Sequence, residues 1–220
     1  GKPLVDLILD KAGQKGTGKW TGQISLELGS PVPTITSAVY DRFLSAKKEE
    51  RVNASKIYSR TPMLHKADTS LIESVRRALY ASKICAYAQG FSMLKDASNT
   101  YGWNLNYAQI AKIFRGGCII RAKFLTELAK EFTLDNNLAS ILISPYFAKT
   151  IQTYEKDWRK VISLAVENGI AAGAFTSSLS YFDNYRSAQM PMNLLQAQRD
   201  YFGAHTYERT DKDGIFHTRW

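Results

Sequence analysis

Metal and disulfide chemistry have little to stand on in this sequence. Its 220 residues include two cysteines and three histidines. Cys85 and Cys118 each sit in an apolar-periodic stretch with no metal-ligand residue at ligand spacing, the pattern of buried, reduced thiols in a cytoplasmic protein. His65, His205 and His217 are far apart and show no HExxH or CxxC-type spacing, so no metal is expected. Long apolar runs are lacking as well: nothing reaches the ~18 residues of a membrane-spanning helix. No GxGxxG follows a strand, which leaves a dinucleotide without its usual phosphate loop. The chain opens on Gly1-Lys2-Pro3, with no initiator Met and no signal-peptide pattern, and is expected to start inside a longer protein or to have been processed.

What is present suffices for a packed domain. Hydrophobic residues make up 45%, aromatics 12% and charged residues 22%, which excludes wholesale disorder. The formal charge is +9, yet no basic run exceeds two residues, as in Lys47-Lys48 and Arg76-Arg77. Dispersed positive charge of this kind favours small anionic ligands over nucleic acid.

Apolar spacing is helical almost throughout. Trp20 to Leu28 reads as a short helix. Ser30 is placed to cap another, with Pro31 early in it, Val32, Ile35, Val39, Phe43 and Ala46 inward, and an extension to about Tyr58. Asp68 or Ser70 caps a long helix to about Asp96, with Ile72, Val75, Leu79, Ser82 and Ala86 recurring along it. A further helix starts near Asn106 with Ile110, Ile113, Phe114, Cys118 and Phe124 inward. Its Gly116-Gly117 pair implies close approach by another backbone. From Pro145, the residues Phe147, Ile151, Tyr154, Trp158, Val161 and Ala165 form a heptad-like seam that Gly169 terminates. Thr176–Gln189 and Met192–Phe202 complete the helices, and Val5–Leu9 fits strand and helix equally. The reading is an all-α fold of several long antiparallel helices over residues 1–203, with a polar tail from Ala204 to Trp220. Phe216 and Trp220 on that tail need a surface to lie against.

Three local features carry chemistry. Gly13-Gln14-Lys15-Gly16-Thr17-Gly18-Lys19-Trp20 interleaves glycines with lysines and a hydroxyl ahead of a helix, a pattern suited to cradling a phosphate. It nearly spells a P-loop, but Trp20 stands where Mg²⁺ requires a Ser or Thr hydroxyl, and no strand–helix alternation surrounds it. Arg42 falls on the apolar side of its helix, where a guanidinium either snorkels or faces a pocket for phosphate or carboxylate. Arg199 lies near a helix end, with His205 just past Gly203.

These segments resemble decarboxylating 6-phosphogluconate dehydrogenases. The resemblance runs from Ile8–Trp20 through Ala38–Arg42, Arg76–Tyr80 and Ile113–Arg121 to Gln196–His205, and so covers essentially the whole chain. It implies the C-terminal helical domain of an enzyme that oxidises 6-phosphogluconate with NADP and decarboxylates the product to ribulose 5-phosphate and CO₂, in the pentose phosphate pathway. Lys15, Thr17 and Arg42 would contact the sugar phosphate within one subunit. Arg199 and His205 would reach the partner's active site in a homodimer, with the tail threading across it. The resemblance places the NADP-binding domain, with the catalytic Lys and Glu, ahead of Gly1. It therefore assigns no catalytic residue here and implies that this polypeptide alone does not turn over.

Overall fold

The computed structural model describes residues 1–58 and 68–220. The chain divides into two compact units, Gly1–Tyr181 and Phe182–Trp220. Helices dominate: α1 (Thr17–Leu28), α2 (Pro33–Ala46), α3 (Lys48–Ile57), α4 (Thr69–Tyr101), α5 (Tyr107–Ile113), α6 (Leu125–Leu134), α7 (Pro145–Glu167), α8 (Gly173–Tyr185) and α9 (Met192–Gly203). The one sheet among the described residues is a hairpin of two-residue strands, β1 (Tyr207–Glu208) and β2 (Ile215–Phe216). Val5–Leu9, which fitted strand or helix, is neither for its full length: a single 3-10 turn covers Leu4–Leu7.

The first unit is built on α4 against α7. Asp68 caps α4 by accepting from the Leu71 N–H, and Gly102 closes it in the left-handed conformation, at φ 68°. The helix therefore outruns its expected end at Asp96 by five residues, because Ser98 turns its hydroxyl onto the Trp103 carbonyl rather than breaking the helix. At about 1.5 Å per residue, its 33 residues span roughly 50 Å. Arg77 meets Asp157 at 2.9 Å while Tyr80 meets Tyr154, so α7 runs antiparallel to α4. Of the expected α7 seam, Phe147, Ile151, Trp158 and Ala165 are buried, Tyr154 and Val161 are half-buried, Ile162 is buried as well, and Gly169 follows the helix at φ 58°.

Which face α4 buries differs from the expected one. Ser82 is buried as expected, but Ile72, Val75 and Leu79 are 62%, 42% and 48% exposed. The core instead receives Ser74, Ala78, Ala81, Ile84, Cys85 and Ala88. Small side chains let two long helices approach closely, and that contact outweighs the larger area of the Ile–Val–Leu stripe.

Shorter elements close the unit. Helix α5, capped by Asn106, stops at Ile113, which is exposed rather than inward. Phe124 instead leads into a separate helix, α6. Among the described residues no atom lies within 4 Å of where a Cβ would stand on Gly116 or Gly117, so the close approach expected there is not seen. Gly117 is used for a turn at φ 65°. Phe91 stacks on Phe132, with ring centroids 5.1 Å apart, joining α4 to α6. Pro33, not Pro31, begins α2, and Ser30 bonds Asp96 rather than capping. The cap of α2 comes from α4: the buried Gln89 accepts from the Thr34 N–H at 3.0 Å and donates to the Thr34 hydroxyl at 2.7 Å. A break at Lys47 separates α2 from α3.

Candidate functional site

Residues 10–18 run along α2, anchored at both ends. At the start, Asp10 accepts from Lys48 Nζ at 2.6 Å and from Arg51 Nη1 at 3.0 Å. These cations, Lys48 first, hold its carboxyl at about 2, below the usual carboxylate range. The Ala12 N–H donates to Ser45 Oγ at 2.9 Å, and that hydroxyl donates to the Arg42 carbonyl at 2.7 Å. At the other end, a Cβ on Gly18 would stand 2.8 Å from Val39 Cγ2, so only glycine admits this contact between α1 and α2. Arg42 lies on α2 between Val39 and Ser45, and Lys15 and Thr17 lie in the segment strung between the same two anchors.

The glycine-rich segment ends as a helix start. Gly16 takes φ 110°, and α1 begins at Thr17, three residues earlier than expected. No described side chain caps it, which leaves N–H groups of its first turn as donors at the positive end of the helix dipole. Lys15, Thr17 and Arg42 are exposed, and Lys15 and Arg42 form no ion pair among the described residues. Arg42 is thus neither a buried charge nor a partner of Asp10. Phe43 and Ala46, expected inward beside it, are exposed as well, because this stretch of α2 has no cover from the described chain. Gln14 buries its Oε1 without a hydrogen-bond partner among the described residues, a feature that spacing did not single out. An uncapped helix start, an ammonium and a planar guanidinium on one edge suit a phosphate.

The second unit carries the other two candidates. Arg199 is exposed, and its Nη1 donates to Gln196 Oε1 at 3.1 Å. His205 lies just beyond α9, its ring over Gly203, where a Cβ would be 3.0 Å from Nε2. Ala204 and Thr206 on either side of it are left-handed, at φ 50° and 62°. The tail folds back as the hairpin Tyr207↔Phe216 and Glu208↔Ile215. Its anchor, Asp200, was not among the candidates: it is fully buried and accepts from the Thr206 and Thr218 N–H groups, His217 Nδ1 and Trp220 Nε1. The one signal for it in the sequence is an acid standing beside Arg199 in a segment otherwise chosen for its cations.

No group of three metal-ligating side chains occurs among the described residues, and His65 lies outside them. No described helix is long and apolar enough to cross a membrane. The described residues contain no parallel strand pair with a crossover helix, the usual frame of a dinucleotide site.

A family model described as 6-phosphogluconate dehydrogenase, C-terminal domain, matches residues 1–220. Among curated relatives, the NADP(+)-dependent, decarboxylating 6-phosphogluconate dehydrogenase of Bacillus subtilis is 56% identical over 222 residues, covering 100% of this chain and 47% of that protein. The decarboxylating 6-phosphogluconate dehydrogenase of Escherichia coli is 53% identical over 221 residues, with the same coverage of 100% and 47%. The chain thus spans about half the length of these relatives. A solved structure of Plasmodium falciparum 6-phosphogluconate dehydrogenase, described in its apo form and in complex with NADP+ and with 6-phosphogluconate, superposes at a TM-score of 0.94. It shares 42% identity over 99% of this chain and 47% of that one.

Proposed function

The chain belongs to the 6-phosphogluconate dehydrogenase C-terminal domain family, and from that premise we propose that it supplies the substrate-binding face and dimer interface of an enzyme that oxidatively decarboxylates 6-phosphogluconate to ribulose 5-phosphate and CO₂ with NADP reduction. The observation that supports this reading is an exposed edge: Lys15 and Thr17 stand at the uncapped start of α1, in a segment joined to α2 on either side of Arg42, at Val39 and at Ser45. One unit-charge pair at about 4 Å contributes roughly 4 kcal/mol at an effective dielectric near 20, before desolvation. A phosphate held by two cations and the helix-start N–H groups anchors the sugar far from its reacting carbons, and that remote binding orients them. Arg199 and His205 complete the site from the partner subunit. Proton transfers and NADP binding belong to the part of the enzyme outside residues 1–220.

A homodimer is supported by the apolar surface left uncovered: the Ile72–Val75–Leu79 stripe on α4 and, in the second unit, Tyr201, Phe202 and Trp220. In this reading residues 1–203 bind substrate and dimerise, and residues 204–220 reach the partner. A cytoplasmic location fits the two free cysteines, with Cys85 buried in α4. In the full-length enzyme, Lys15→Ala and Thr17→Ala are expected to raise KM for 6-phosphogluconate, the lysine by roughly tenfold or more. A wild-type KM in both would reject the assignment.

A further inference from the structure

We propose that Asp200 is a positioning residue of the sugar-phosphate site: its carboxylate fixes the turn that presents His205 beside Arg199, using donors drawn from the C-terminal tail. The proposal rests on the reading of Arg199 and His205 as substrate contacts. Asp200 lies in the last turn of α9 with 0% of its surface accessible. A carboxylate is stable there only when hydrogen bonds replace its water. Both oxygens are filled. Oδ1 accepts from the Thr206 N–H and from His217 Nδ1, each at 2.9 Å. Oδ2 accepts from the Thr218 N–H at 3.0 Å and from Trp220 Nε1 at 3.1 Å. Burial pushes the acid up, and these four donors more than offset it, holding the group at about 2. Asp200 is therefore ionised at neutral pH. Because a carboxylate only accepts, His217 carries its proton on Nδ1.

The clamp acts on the residues flanking His205. Ala204 and Thr206 hold positive φ, which disfavours any residue with a Cβ and a β-branched one most. Such a turn persists only when its surroundings impose it. Asp200 accepts from the Thr206 N–H, and Gln196 Nε2 donates to the Thr206 carbonyl at 2.7 Å, so this one residue is held by the peptide group on each side of it. The Asp200 carbonyl also receives the Ala204 N–H at 2.8 Å. The same Gln196 steers Arg199 through its Oε1. One buried acid and one glutamine thus set both candidate contacts, and the acid is satisfied only while the last four residues of the tail are folded back. Folding of the tail is in this way a condition for presenting His205.

The test is the KM for 6-phosphogluconate in the full-length enzyme. Asp200→Asn leaves one acceptor oxygen and turns an amide NH₂ towards two donors. A rise of roughly tenfold in KM is expected, the scale of one charge-assisted hydrogen bond, with kcat and the KM for NADP within about twofold. His217, 43% exposed, offers a gentler probe: His217→Ala withdraws one donor and is expected to raise KM by about threefold, at the low end for one hydrogen bond. Neither change should add to the effect of His205→Ala, because both act through that residue. Should Asp200→Asn fail to fold, the His217 and His205 pair decides alone. A raised KM in His205→Ala beside wild-type values in the folded Asp200→Asn and His217→Ala enzymes overturns the positioning role, as do effects that add in full to His205→Ala. A wild-type KM in His205→Ala itself overturns the substrate-contact reading, and this proposal with it.

Discussion

The α4–α7 seam and the edge formed by α2 and the glycine-rich segment begin from the same sequence signal, apolar residues at helical spacing. They end in opposite states. Along the seam, Phe147, Ile151 and Trp158 are buried, and Arg77 is satisfied by Glu73 and Asp157. Along the edge, Phe43 is 45% exposed, Tyr40 and Leu44 more so, and Arg42 stands without an ion pair among the described residues. The seam is packed within the chain, whereas the edge is not, and it is on the edge that the proposed substrate contacts are placed.

Paired substitutions break this comparison most strongly. Phe147→Ala should cost about 3–5 kcal/mol of stability, the usual loss for emptying a buried phenyl site, whereas Phe43→Ala should cost under about 1 kcal/mol. Urea unfolding of the full-length protein measures both, and equal losses would show that the edge is packed after all. Next in size is the contact between α1 and α2. Gly18→Ala sets a methyl 2.8 Å from Val39 Cγ2 and should cost about 1–3 kcal/mol, recovered largely by adding Val39→Ala. A neutral Gly18→Ala would mean that α1 and α2 can shift apart freely. Smaller still is the acid response. Asp10, Glu73 and Asp200 are held at about 2 by their donors, so they favour the folded state above the ordinary carboxylate range. That contribution fades as pH falls from about 4 towards 2. The thermal midpoint should decline across that window, and a flat profile would mean that these donors do not hold the carboxylates in solution.

Local chemistry was legible in the sequence. Asp68 and Gly169 punctuate their helices as composition implies, because a cap depends on residues within one turn. Arg42 and the Lys15–Gly16–Thr17 segment stood out as a charge beside apolar spacing and as closely set glycines, and the structure leaves Lys15, Thr17 and Arg42 exposed. Long-range partners were not legible. Ser30 looked like a cap, but its hydroxyl belongs to Asp96, 66 positions away. The cap of α2 comes from Gln89, 55 positions distant. The buried face of α4 was misread because hydrophobicity points to Ile72, Val75 and Leu79, whereas close helix approach selects alanine and serine. Asp200 was passed over for a similar reason, since all four of its donors come from the tail.

The proposed role of the open edge is tested most directly at Arg42, by steady-state kinetics of the full-length enzyme carrying Arg42→Ala. KM for 6-phosphogluconate should rise by roughly tenfold or more, with KM for NADP and the unfolding midpoint unchanged, and Arg42→Lys should restore only part of the loss because an ammonium lacks the planar fork. An Arg42→Ala enzyme with the wild-type KM for 6-phosphogluconate would contradict the assignment of this edge to the sugar phosphate.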